Sequence, residues 1–200
     1  MTDAIRRRET VIKAGFTGDE AAARAGLADG DGGVRASALG SLARLGALTE
    51  DDVQLAMKDA DPTVRRRAAE AAKDHPGLDL VPLLADADPM VVEAACWAVG
   101  EREQATPEVV GALSSTATGH DDPLCREAAV AALGAIGDER GLPAILTATG
   151  DKPAVRRRAV IALAPFDGPE VDAALQKALT DRDWQVRQAA EDLLDEGPGA

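Results

Sequence analysis

Residues 122–137 read Asp122-Pro-Leu-Cys125-Arg126-Glu-Ala-Ala-Val-Ala-Ala-Leu-Gly-Ala-Ile-Gly137. An aspartate followed by a proline marks a helix start. The carboxylate can accept a hydrogen bond from the free amides of the first turn, and the proline stands where no amide is needed. From Cys125 onward apolar residues recur on one helical face, and Gly137 closes the run as a helix stop. The stretch therefore reads as one amphipathic helix with both ends marked.

The same pattern recurs along the chain. It appears as Asp31-Gly-Gly-Val34-Arg35, Asp61-Pro-Thr-Val64-Arg65, Asp88-Pro-Met-Val91-Val92, Asp122-Pro-Leu-Cys125-Arg126, Lys152-Pro-Ala-Val155-Arg156 and Asp183-Trp-Gln-Val186-Arg187. The apolar anchors are spaced by 30, 27, 34, 30 and 31 residues. From each anchor the apolar positions follow a helical period, as at Val155, Ala159, Ala162 and Leu163. Stops follow at Gly46, Pro76, Gly100, Gly137 and Pro165. Before each capped start lies a second, shorter amphipathic stretch: Leu78–Leu84, Val109–Leu113, Leu142–Leu146 and Val171–Leu179. Each period is a helical hairpin.

One hairpin of about 30 residues cannot bury its apolar face alone, so it must stack on its neighbours. The prediction is an all-α fold, an α-α superhelix forming a single solenoid domain over residues 1–200. Its six hairpins fall at about 17–47, 50–76, 77–101, 106–137, 139–165 and 168–196. Residues 3–14 are expected to form a capping helix with Ile5, Val11 and Ile12 inward and Arg6, Arg7 and Arg8 mostly outward. The acidic run near Glu191–Glu196 suits an outer cap at the other end.

Composition agrees with helix-on-helix packing. The chain is 46% apolar and dominated by small aliphatic residues, with 2% aromatics and no tyrosine. Strands in a sandwich or barrel would call for aromatic and β-branched side chains. The net charge of −13 repels phosphate backbones and anionic membrane surfaces, so neither nucleic acid nor membrane is an expected partner. Cys96 and Cys125 are too few for a disulfide framework and fall on alanine-rich helical faces, where buried roles are expected. No signal-peptide pattern and no span of about 18 apolar residues appears. The expectation is a cytoplasmic monomer without cofactor or metal.

The Asp-Pro-x-Val-Arg-x-x-Ala-x-x-Ala-Leu-Gly pattern resembles the short HEAT-like repeats named after phycobilisome lyases, over roughly residues 17–196. The resemblance implies an α-solenoid whose second helices line a concave face. It also implies an internal ladder in which the repeated arginine bridges to aspartates of adjacent units. By position, that ladder would join Arg35, Arg65, Arg126, Arg156 and Arg187 with Asp31, Asp61, Asp122 and Asp183. Val92 breaks it in the third unit, and Lys152 replaces aspartate in the fifth, where the stack is expected to loosen or bend. Similar proteins are mostly adaptors, with a minority in chromophore attachment or DNA repair, and fold does not choose among these.

If the anchor and its helical repeats face the core, the positions one before, two after and six after the anchor form a stripe elsewhere. They read Thr63, Arg66, Glu70; Met90, Glu93, Trp97; Leu124, Glu127, Ala131; Ala154, Arg157, Ile161; and Gln185, Gln188, Asp192. The resemblance places this stripe on the concave surface. Met90, Trp97, Leu124 and Ile161 would then anchor a protein or peptide segment, with Arg66, Arg157, Glu93 and Glu127 setting its position. Trp184, next to a cap, is expected to pack structurally.

Catalytic signals are thin. In the triplets Arg65–Arg67 and Arg156–Arg158 one arginine belongs to the ladder, and the others read as a solvated face or an anion patch. His120 beside Asp121 and Asp122 reads as a polar loop rather than a metal or acid–base cluster. His75 lies at a helix end. The sequence holds no nucleophile elbow and no glycine-rich phosphate loop. A non-catalytic scaffold is the expected function. A bilin lyase would call for more aromatic lining, and a solenoid DNA glycosylase would call for a continuous basic groove.

Overall fold

A computed structural model describes residues 3–102 and 106–195. Among the described residues there are thirteen α-helices and no strand. The chain divides into two compact units, residues 1–98 and 99–200.

In the first unit long helices alternate with short ones. The long helices are α1 (Asp3–Thr17), α3 (Gly32–Leu45), α5 (Pro62–Ala72) and α7 (Pro89–Gly100), the last running just past the unit's end. Between them lie α2 (Glu20–Ala25), α4 (Glu50–Ala56) and α6 (Val81–Leu84). The starts are set by side chains as the sequence suggests. Asp31 accepts from the Val34 amide at 3.1 Å, and Asp61 accepts from the Thr63 amide at 2.8 Å. Thr49 and Asp52 form a reciprocal capping box on α4. α3 ends on Gly46, whose φ of +67° lies in the left-handed region that glycine enters without penalty.

α3 is the middle layer, packed against α1 on one side and α5 on the other. Val34, Leu39, Leu42, Val53 and Val64 are buried there, each contributing roughly 1.5–3 kcal/mol on burial. Where α1 meets α3 the backbones nearly touch. A Cβ on Gly15 would lie 2.8 Å from the Ser41 side chain, and the buried Ser41 hydroxyl donates to the Val11 carbonyl at 2.9 Å. α1 therefore takes the place of a second helix, but with a narrower buried face than expected. Val11 and Ala14 are buried, whereas Ile5 and Ile12 are exposed, because α3 covers only one side of the helix.

The second unit comprises α8 (Pro107–Gly119), α9 (Pro123–Ile136), α10 (Leu142–Ala148), α11 (Pro153–Ala162), α12 (Pro169–Ala178) and α13 (Trp184–Asp195), and only α10 is short beside its neighbours. Leu113, Leu133, Ile145 and Leu163 fill its interior. α9 and α11 approach closely through Gly134, where a Cβ would stand 2.7 Å from the Ala162 Cα. Cys125 and, in the first unit, Cys96 are fully buried. Trp184 departs from expectation: it is 64% exposed, because the first residue of α13 precedes the turn that packs. Glu191 is exposed on α13, and Glu196 lies outside the described residues. No described helix is long and apolar enough to cross a membrane.

Candidate functional site

The long helices present two kinds of edge, one at their starting loops and one along an exposed stripe. At the loop edge the repeated arginine forms a fork. Arg35 donates through Nε and Nη2 to both oxygens of Asp59 at 2.8 and 2.6 Å. Arg65 does the same to Asp86 at 2.7 and 2.9 Å, Arg126 to Asp151 at 2.6 and 2.8 Å, and Arg156 to Asp181 at 2.9 and 2.7 Å. The third donor, Nη1, reaches back to a carbonyl of the arginine's own loop, as from Arg65 to the Asp59 carbonyl at 2.8 Å. In return Asp59 accepts from the Asp61 amide at 2.8 Å, and Asp86 from the Asp88 amide at 2.9 Å. Each rung thus ties two successive hairpins and rigidifies both loops. Bidentate charge-assisted pairs of this kind are among the stronger polar contacts.

The carboxylates in these rungs are not the ones expected. Asp31, Asp61, Asp122 and Asp183 are turned into their own helices, accepting from first-turn amides. The partner of each arginine is the acid just upstream of the next cap, placed where the loop faces the preceding hairpin. Asp61 remains only an electrostatic neighbour of Arg35. The signal was present in the sequence as Asp29-Gly-Asp31, Asp59-Ala-Asp61, Asp86-Ala-Asp88 and Asp181-Arg-Asp183. Arg187 donates to the Asp181 carbonyl. Lys152 gives α11 no side-chain cap, yet the rung persists because Asp151 moves one place closer. The ladder also reaches α1: Arg7 donates to both oxygens of Asp29, so the middle arginine of Arg6–Arg8 is turned toward a partner.

The arginine hydrogen bonds hold the Asp59, Asp86, Asp151 and Asp181 carboxyls below the ordinary aspartate range. Where Val92 replaces the arginine, the matching position of the following hairpin holds His120 rather than aspartate. Its Nδ1 accepts from the Asp122 amide at 3.0 Å, keeping the loop bond that the aspartates make elsewhere. His120 thus belongs to the loop framework.

The stripe is the second edge. In the first unit Met90 and Trp97 are both 45% exposed on α7, although Val91, Val92, Ala95 and Cys96 around them are fully buried. Glu93 lies half-buried between them, and Arg66 is exposed on α5. In the second unit Leu124 is 55% and Ile161 42% exposed, with Glu127 and Arg157 half-buried. Arg66 and Arg67 share Glu70 at 3.1 and 2.7 Å, and Arg158 lies 3.6 Å from Glu127. Beside Trp97 opens a hollow of about 470 Å³ floored by Leu39, Ala43 and Ala71. Among the described residues no group of three or more His, Cys, Asp or Glu is placed to hold a metal ion.

Stacked hairpins joined by arginine–aspartate rungs define a helical-repeat protein. A model of HEAT repeats matches residues 77–153, and one of the PBS lyase HEAT-like repeat matches residues 155–181. The chain is a HEAT-like repeat protein. No curated protein matches it. Among solved structures it is similar to YibA of Escherichia coli, at 20% identity and a TM-score of 0.67, covering 97% of this chain and 75% of that one. It is also similar to a designed armadillo repeat protein in complex with the peptide (KR)4, at 19% identity and a TM-score of 0.57, covering 97% and 99%. Human deoxyhypusine hydroxylase follows at 20% identity and a TM-score of 0.50, covering 96% and 79%. At these identities the likeness is one of fold.

Proposed function

We propose that this chain is a non-catalytic scaffold that holds a segment of a partner protein on the exposed stripe of its second helices. In the first unit Met90 and Trp97 act as apolar anchors, with Arg66 and Glu93 setting the segment's position. In the second unit Leu124 and Ile161 take the same part with Glu127 and Arg157. The observation that carries the reading is Trp97. It is held half-exposed on a helix whose other faces are buried, beside an open hollow, in a chain with only two tryptophans and no tyrosine. Tryptophan set in a partly apolar depression is the usual centre of a binding hot spot. The designed armadillo repeat protein of similar fold is in complex with the peptide (KR)4, which supports the reading at the level of fold. The likeness to a hydroxylase is also one of fold, and chemistry does not travel with fold.

The test is selection of binders from a random peptide library on the immobilised chain, followed by affinity measurement against Trp97→Ala. The variant should lose about 2 kcal/mol of binding or more and keep its helical circular dichroism, because the side chain is half in solvent. Selected peptides that bind Trp97→Ala as well as the parent would remove the assignment.

A further inference from the structure

We infer that the stripe of the first unit is built for an acidic–apolar peptide: a segment carrying carboxylates a few residues from a large apolar side chain. The inference rests on the scaffold reading and adds the chemistry of the partner. Two hollows adjoin on this surface. One, of about 190 Å³, is bordered by Arg8, Arg66 and Arg67. The other is the hollow beside Trp97, where Leu39, Ala43, Ala71 and the indole supply apolar surface next to the paired Lys73 and Asp74, and Arg67 and Glu70 line both.

The cationic end has a definite origin. Arg8 and Arg66 project from α1 and α5 on either side of α3, which presents only Ala36 and Ser37 at that level. Small residues there leave a trough that the long arginine side chains can reach into from both banks. Arg8 donates to the Ser37 hydroxyl at 3.0 Å and, among the described residues, to no carboxylate. Arg66 and Arg67 share the single carboxylate of Glu70 and remain 47% and 49% exposed. Glu93, at the matching level of α7, makes no ion pair among the described residues. Around the smaller hollow, whose lining Glu93 does not join, three guanidinium groups face the one carboxylate of Glu70, in a chain where acids outnumber bases by 35 to 22. Arg66 and Arg67 also lie early in α5, where the macrodipole opposes cations. Guanidinium forks with spare donors match carboxylate geometry. Beyond about 8 Å at physiological salt the chain's overall negative field is screened, so the local cluster governs what docks.

Arg66 is two residues past its anchor Val64, and Trp97 six past Val91. That offset is about 6 Å along the helices, and neighbouring helices lie about 8–10 Å apart. An extended segment advancing about 3.3 Å per residue spans the diagonal in roughly three or four residues. The expected ligand places its acids that far from its apolar residue.

The experiment uses the full chain and two labelled synthetic peptides. One carries a Glu-Glu pair about four residues from a leucine, and its counterpart has lysines in place of the glutamates. Fluorescence anisotropy should show the acidic peptide bound at least about tenfold more tightly than the basic one. Arg8→Glu and Arg66→Glu should each reverse or erase that preference, and Glu70→Gln should strengthen acidic binding by releasing two arginines. Trp97→Ala should weaken the acidic peptide. Failure of the acidic peptide to bind, equal or better binding of the basic one, or indifference to the arginine reversals overturns the inference. If peptides selected from the random library are basic or neutral and still depend on Trp97, the scaffold reading stands and the acidic one falls. If nothing depends on Trp97, both fall.

Discussion

Arg65 and Arg66 are neighbours in the chain and identical in chemistry, yet they belong to different parts of the molecule. Consecutive helical residues point about 100° apart. Arg65 therefore meets the loop edge, where Asp86 and the Asp59 carbonyl take its donors and leave its side chain 18% exposed. Arg66 meets the stripe, where it keeps 47% of its surface and half of one carboxylate. α11 repeats the contrast: Arg156 is 7% exposed in its rung, while Arg158 has only a 3.6 Å approach to Glu127. A triplet of arginines is thus no single basic feature. One member holds the fold together, and the others keep more of their surface in solvent.

The largest break in this contrast should come from Asp86→Ala. It leaves the Arg65 fork without its carboxylate and the Asp88 amide without its acceptor, at a cost of about 2–3 kcal/mol for a partly buried pair. Urea unfolding followed by circular dichroism would measure it. Next comes Arg65→Lys, which keeps the charge but loses the planar fork and should cost about 1–2 kcal/mol in the same assay.

Acid should then act on the rungs and spare the stripe. The rung aspartates are held below their ordinary value of 3.8. Their contribution is complete above that value and disappears as pH falls through the lower folded value. Thermal stability of the parent should drop below about pH 4, and the drop should be shallower in Asp86→Ala, which has one such carboxylate fewer. The smallest effect should be that of Arg66→Ala, within about 0.5 kcal/mol in stability, as for an exposed pair. A loss in Arg66→Ala matching that of Asp86→Ala would erase the distinction between the two edges.

Much of this was legible in the residues. The cap aspartates and prolines, the glycine stops Gly46 and Gly137 and the helical run at Val155, Ala159, Ala162 and Leu163 are local signals, and each is met in the structure. Site assignments fared less evenly. Exposure of Met90, Trp97, Leu124 and Ile161 follows from helical period alone. The rung partners did not, because capping and bridging both draw on aspartates at a loop, and only the path of the loop separates the two uses. Ile5, Ile12 and Trp184 misled for a related reason. An apolar residue on a helix is buried only where a neighbouring element arrives to cover it.

By itself, then, the sequence determined that the chain forms capped helical hairpins that must stack, since period, caps and stops act within a few residues of one another. The tertiary structure decided which acid answers each arginine and which arginines are left over. Those outcomes depend on contacts between hairpins more than twenty residues apart in the chain, and no local pattern specifies the distance between two side chains that meet only when the helices pack.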